Sequence, residues 1–133
     1  MLILDTSALL KRYVEEEGTA ATIELMASTP DWCASALCLT EARVTLCHLG
    51  LDERSLQAVA AALRQDWDRF LVVPVDDLCL ARAIEIGCGQ RVRTLDAIHL
   101  AAADRLPPPV RFVTFDASQA DAARSLGLDV LRP

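Results

Sequence analysis

The chain has 133 residues, 53% hydrophobic and 24% charged, with a formal net charge of −6. That length is enough for one domain with a core of its own, and the composition excludes a disordered polymer. The acidic balance excludes a protein that grips nucleic acid through a broad basic surface, since phosphate binding relies on Lys and Arg.

The first element in the chain is the short apolar run Leu2 to Asp5, the pattern of a strand buried on both faces. Thr6-Ser7 then offers hydroxyl caps to a helix reaching about Val14. Gly18-Thr19 opens a second helix that ends near Ser28-Thr29-Pro30, and Trp32 to Ser35 reads as a second strand. A helix is expected from Leu37 to Leu49, stopped by Gly50. Another starts at Asp52-Glu53, with Leu56, Val59, Ala60, Leu63 and Trp67 at helical spacing. Phe70 to Val75 is the third strand, and Asp76-Asp77 caps a helix continuing to about Ile86, where Gly87 and Gly89 end it. A helix from Leu95 to Arg105 follows, and Pro107-Pro108-Pro109 forces a loop. Val110 to Phe115 is the fourth strand, Ala117 to Leu126 the last helix, and Leu128 to Leu131 a short fifth strand. Strands alternating with helices predict an α/β protein with a parallel sheet covered on both faces, in a single domain over residues 1–133.

No apolar run approaches the roughly 18 residues needed to cross a bilayer, and the N-terminus enters a strand without a charged leader. No membrane association and a cytoplasmic location are therefore expected. The five cysteines, Cys33, Cys38, Cys47, Cys79 and Cys88, show no CxxC spacing and read as reduced core residues. Adjacent Cys47 and His48 would point about 100° apart on a helix, a poor start for a zinc site.

Four acids stand out against apolar surroundings. Asp5 and Asp116 each close a strand-like run, and in parallel sheets ligands bind beyond the carboxyl ends of strands where strand order reverses. If the first and fourth strands are neighbours there, both carboxylates face one crevice. The plainer alternative for each is a helix cap. Glu41 lies in mid-helix beside the face carrying Leu37, Cys38, Val44 and Thr45; its alternative is a solvated flank paired with a base. Asp96 stands in the first turn of a helix for which Thr94 is the expected cap, on one face with His99 and Leu100 beside the small surface Ala101-Ala102-Ala103. His99 reads first as a hydrogen-bonded structural histidine, and one turn from Asp96 it could orient a carboxylate. Buried carboxylates are costly to gather unless paired or coordinated, and a divalent cation is the simplest means. Lys11, Arg12, Arg91 and Arg93 lie near these segments but read as ordinary solvated bases.

Read together, Leu4-Asp5-Thr6-Ser7-Ala8, Thr40-Glu41, Thr94-Leu95-Asp96-Ala97-Ile98-His99-Leu100-Ala101 and Thr114-Phe115-Asp116 give the chain a resemblance to PIN-domain ribonucleases. It is most similar to the VapC toxins of toxin–antitoxin pairs. The resemblance covers essentially the whole chain and rests on the order and spacing of these motifs together. It implies a three-layer α/β/α fold with strand order 3-2-1-4-5. It also implies Mg²⁺ or Mn²⁺ bound by Asp5, Glu41, Asp96 and Asp116, with Thr6 or Ser7 supporting. The implied activity is endonucleolytic cleavage of RNA by metal-activated water, and the implied partners are an RNA substrate, a small cognate antitoxin and a second copy in a homodimer. The all-carboxylate donor set suits such hard cations. The alternatives are a solitary RNA-processing nuclease of the same family and an inactive binding module on the same fold.

Four other patterns are set aside. Gly87-Cys88-Gly89-Gln90 follows a helix and lacks the remainder of a dinucleotide loop. Ser7 and His99 have no GxSxG elbow around them. Ser7, two residues beyond Asp5, is not the second Asp of an aspartyl phosphatase, and no Lys follows Lys11 as a receiver-like domain would require.

Overall fold

A computed structural model describes all of residues 1–133. Its strands are Leu2–Leu4 (β1), Trp32–Ser35 (β2), Leu71–Val73 (β3), Arg111–Val113 (β4) and Asp129–Leu131 (β5). Its helices are Thr6–Leu10 (α1), Thr19–Ala27 (α2), Ala36–His48 (α3), Glu53–Trp67 (α4), Asp77–Gln90 (α5), Thr94–Asp104 (α6) and Ala117–Ser125 (α7). Every strand pair is parallel and the order across the sheet is β3-β2-β1-β4-β5, as the resemblance implied.

The sequence produces this arrangement through the two-residue period of its strands. Leu2 and Leu4 point to one face of the sheet, with Trp32, Ala34 and Val113, and meet residues of α1 to α4. Ile3 points to the other with Cys33 and Phe112, and meets α5, α6 and α7. Both faces are thus roofed by helices, which is why β1 carries no polar residue before Asp5. Each fully buried Leu, Ile or Phe contributes about 1.5–3 kcal/mol by leaving water. Helix α6 is buried from Ala97 through Ala103, and its alanines let it lie close between the sheet and α5.

Chain direction across the sheet reverses at β1. The path runs outward through β2 and β3, then returns to place β4 on the opposite edge of β1, in register Leu2 to Arg111, Ile3 to Phe112 and Leu4 to Val113. The crevice beyond the carboxyl ends of β1 and β4 is therefore the position where such sheets bind ligands.

Several boundaries differ from the sequence reading. Helix α1 stops at Leu10, and residues 11–14 form turns closed by Tyr13 N and Val14 N donating to the Leu10 carbonyl. Helix α5 runs straight through Gly87 and Gly89 to Gln90 and ends in a left-handed residue that is Arg91, at φ 56°. A Cβ at Gly87 would meet the Ala97 Cβ of α6 at 3.5 Å, an ordinary contact, so neither space nor backbone conformation demands glycine there. β3 and β4 are shorter than the apolar runs Phe70–Val75 and Val110–Phe115 that contain them. Thr94 is the first residue of α6, with Arg93 at the cap position and no side-chain cap bond. Cys33, Cys38 and Cys79 are buried and free as expected, but Cys47 and Cys88 are exposed. Gly18, at φ 90°, is the one glycine whose conformation and contact are both demanding, because a Cβ would come within 2.4 Å of the Phe115 ring.

Candidate active site

Asp5, Glu41, Asp96 and Asp116 line a single cavity of about 260 Å³ at the β1/β4 crevice, together with Thr6, Ser7, Arg93, His99 and Gln119. Four elements that are distant in sequence supply the four acids. Asp5 follows β1, Asp116 lies just beyond β4, Glu41 sits on the second turn of α3 and Asp96 on the first turn of α6.

Asp5 is only 3% exposed. One carboxylate oxygen accepts from Ala8 N at 2.8 Å and from Ser7 Oγ at 2.7 Å; the other accepts from Thr114 Oγ1 at 2.5 Å. It caps α1 as the plainer reading required, and it also faces the cavity. No basic side chain pairs with it: the guanidinium of the cavity, Arg93, goes to Asp96 and Asp116. Burial pushes the Asp5 carboxyl above the ordinary carboxylate range, with the Thr114, Ala8 and Ser7 hydrogen bonds pulling the other way.

Asp116 likewise combines two roles. It caps α7 by accepting from Gln119 N at 2.8 Å while its other oxygen lies 3.7 Å from Arg93 Nη2. Asp96 accepts from Arg93 Nε at 2.9 Å. Glu41 is neither fully buried nor a solvated flank. Its Oε2 accepts from Thr6 Oγ1 at 2.6 Å and is bonded to His99 Nε2. Burial raises the Glu41 carboxyl, but the hydrogen bonds from His99 and Thr6 outweigh it and leave the group below its usual range.

The supporting residues act through these acids. Thr6 holds Glu41, and Ser7 holds Asp5 while accepting from Phe115 N at 2.9 Å. His99 does orient a carboxylate, but that of Glu41 on another helix and not Asp96 one turn away. Its ring is buried and Nδ1 is 2.9 Å from Ser35 Oγ, itself fully buried at the end of β2. A buried group bonded at both ring nitrogens fixes the angle at which α3 presents Glu41. Replacing His99 by Leu strands Ser35 Oγ and one bond to Glu41, and an unmade buried bond costs about 1–3 kcal/mol. Urea unfolding of the variant is expected to show that loss; an unchanged midpoint would mean the network does not hold the helix.

Sequence reasoning gave no role in the site to four residues here: Thr114, Gln119, Ser35 and Arg93. Thr114 Oγ1 is shared between Asp5 and Gln119 Oε1, and Gln119, 1% exposed, also donates to the Asp96 carbonyl. The spacing Asp116-x-x-Gln119 matches a capping box and was the available signal. Ser35 and Arg93 had none, because their partners lie on other elements or depend on which other bases are already engaged. Lys11 is taken by Glu16 at 3.1 Å and Arg12 by Asp66 at 2.7 Å.

Comparison with known proteins fits this geometry. The family model described as PIN domain matches residues 2–125. The chain belongs to the PIN-domain family. Ribonuclease VapC46 of Mycobacterium tuberculosis is 32% identical to this PIN domain over 136 residues, covering 99% of this chain and 97% of that protein. Among solved structures, FitAcB from Neisseria gonorrhoeae superposes with a TM-score of 0.78 at 20% identity, covering 100% of this chain and 98% of its own. A toxin–antitoxin complex from Klebsiella pneumoniae superposes with a TM-score of 0.73 at 17% identity, covering 100% and 98%. This PIN domain is thus a homologue of a VapC ribonuclease and carries the fold of those structures.

The donor set fits a divalent cation. All four acids offer hard carboxylate oxygens, and Asp5 is a buried carboxylate with no cationic partner, which is costly unless a positive charge approaches from the cavity. In the arrangement shown, no three acid, histidine or cysteine side chains yet converge on one ion position. Hydrogen bonds and the Arg93 guanidinium hold them instead.

Proposed function

We propose that this PIN domain is a Mg²⁺- or Mn²⁺-dependent endoribonuclease and the toxin member of a VapBC-type pair. The observation that carries the reading is Asp5: a nearly fully buried carboxylate, unpaired by any base, at the base of a cavity walled by Glu41, Asp96 and Asp116. These four residues would hold the ion. When bound, it supplies charge stabilisation at the phosphate and a more nucleophilic water. The chain's own groups do the rest. Thr6 and His99 aim Glu41, Ser7 and Thr114 aim Asp5, and Asp96 and Asp116 complete the wall of the cavity.

RNA as substrate is supported by the ribonuclease relative at 32% identity. An antitoxin as partner is supported by the toxin–antitoxin complex that shares the fold. A homodimer is supported by α5, where Leu78, Leu80 and Ile84 stand exposed. Leu80 and Ile84 border an apolar cavity of about 360 Å³ reaching Val92 and Ile98. No helix is long and apolar enough to cross a membrane, and the reading places the enzyme with its RNA in the cytoplasm.

The test is metal removal. Protein stripped with EDTA is expected to leave total bacterial RNA intact, and added Mg²⁺ or Mn²⁺ is expected to restore discrete fragments. Intact RNA at every metal concentration, from protein free of any bound partner, would replace this reading with that of a binding module.

A further inference from the structure

Arg93 lies at the acid cavity, yet nothing in the proposed chemistry so far uses it. Its guanidinium reaches Asp96 through Nε at 2.9 Å and through Nη2 at 3.5 Å, and Nη2 also approaches Asp116 at 3.7 Å. It is the one Lys or Arg among the residues lining the cavity, facing four carboxylates. The other bases near by are engaged elsewhere: Lys11 with Glu16, Arg12 with Asp66, which also accepts from Tyr13, and Arg105 with Asp76. Arg93 differs from them in being loosely held. Its side chain is 79% exposed while Asp96 is 14% exposed, so the pair is anchored from the acid's side and open on the arginine's.

We propose that Arg93 is an internal counter-cation that gives way to the divalent ion and then receives the RNA phosphate. This rests on the nuclease reading above. In the ion-free protein the guanidinium neutralises Asp96 and Asp116 and occupies the ground between them. Exposed ion pairs contribute little, so a divalent cation drawn by four carboxylates displaces it at small cost. Nothing packs over the freed side chain, because Arg93 precedes α6 at its exposed N-terminal end. The displaced charge stays on the cavity rim and is planar and bidentate, the geometry that suits a phosphodiester. In a chain of net charge −6 this provides a local substitute for the basic surface that the composition rules out.

The two halves have opposite signs, which makes them testable in one variant. Metal-free wild type, Arg93→Gln and Arg93→Lys are titrated with Mn²⁺, free ion being read by electron paramagnetic resonance, and then assayed on a short single-stranded RNA at saturating Mn²⁺. Arg93→Gln is expected to bind Mn²⁺ about threefold or more tightly, having lost the competitor. Its KM for RNA is expected to rise about tenfold with kcat little changed, a charged hydrogen bond having been lost. Arg93→Lys should keep Mn²⁺ affinity near wild type. Unchanged or weaker Mn²⁺ binding in Arg93→Gln, or no Mn²⁺ binding by any form, overturns the counter-cation. Tighter Mn²⁺ binding with unchanged KM overturns the phosphate contact. Wild type that binds Mn²⁺ but never cuts RNA removes the nuclease reading and the phosphate role with it, while the Mn²⁺ titration still decides the counter-cation.

Discussion

Asp5→Asn is expected to abolish metal-dependent RNA cleavage while leaving the metal-free protein as stable as wild type or more so. The loss of activity should exceed the about 10–100-fold typical when a group supporting a metal ligand is removed, because Asp5 would touch the ion itself. Stability should survive for a reason visible in the hydrogen bonds. Asn Oδ1 can still accept from Ala8 N and Ser7 Oγ, while its amide can donate to Thr114 Oγ1. Thr114 then turns its proton to Gln119 Oε1, already 3.1 Å away. No buried group is left without a partner, and a buried charge has gone.

The pH dependence follows from the direction of the Asp5 shift. Burial raises its folded pKa above 3.8, so the native state keeps its proton to higher pH than the unfolded chain does. The resulting stability is present at low pH and is lost as pH rises through the folded value. Asn does not titrate. In EDTA, the Tm of Asp5→Asn relative to wild type should therefore climb as pH rises above the ordinary carboxylate range. Adding Mn²⁺ should reverse the order, since an ion that binds only the folded wild type stabilises it alone. Thermal melts at several pH values with and without Mn²⁺ check all of this; a variant that melts well below wild type in EDTA would mean the Asp5 charge serves folding first.

Phe112→Ala should be the most damaging single change to the fold. Phe112 is fully buried in β4, paired in register with Ile3 and packed among residues of α5 to α7. Truncating a buried Phe to Ala costs about 3–5 kcal/mol through lost transfer energy and the cavity left behind. That is a large share of the about 5–15 kcal/mol by which a domain is stable, so Tm should fall by about 10–20 °C. Differential scanning calorimetry would read it; a fall of only a few degrees would mean the surrounding alanine-rich surface collapses into the gap.

The contrast between these two variants explains what could be read from the sequence. Buried strands announce themselves as apolar runs, so the order of elements was legible, and Asp5 and Asp116 were visible because an acid at the end of such a run needs a reason. The helix carrying Gly87 and Gly89 was cut short because local propensity treats glycine as a stop, whereas the packing of α5 along α6 carries the helix through both. His99 was legible as a hydrogen-bonded histidine, but its carboxylate partner was not, for the same cause: Glu41 lies 58 residues away in sequence and meets it only through the packing of α3 and α6. Arg93 was set aside because a base looks solvated until the commitments of Lys11 and Arg12 are known. Spacing along one chain reports what shares a face, and it is silent on what two faces bring together.

The adjacency of β1 and β4 bears finally on which ions such a cavity can tolerate. Asp5 directly follows β1 and donates its backbone N–H to the Val113 carbonyl of β4, whereas Asp116 lies three residues beyond β4 as the cap of α7. Glu41 and Asp96 ride on α3 and α6. One acid is therefore fixed by the sheet and three are carried by helices or a helix cap. Mg²⁺ holds its oxygens at about 2.0–2.1 Å and Ca²⁺ at about 2.3–2.6 Å. If the four acids hold the ion as proposed, that difference would be absorbed by α3, α6 and the start of α7, so discrimination by ionic radius would reside in helix packing more than in the sheet.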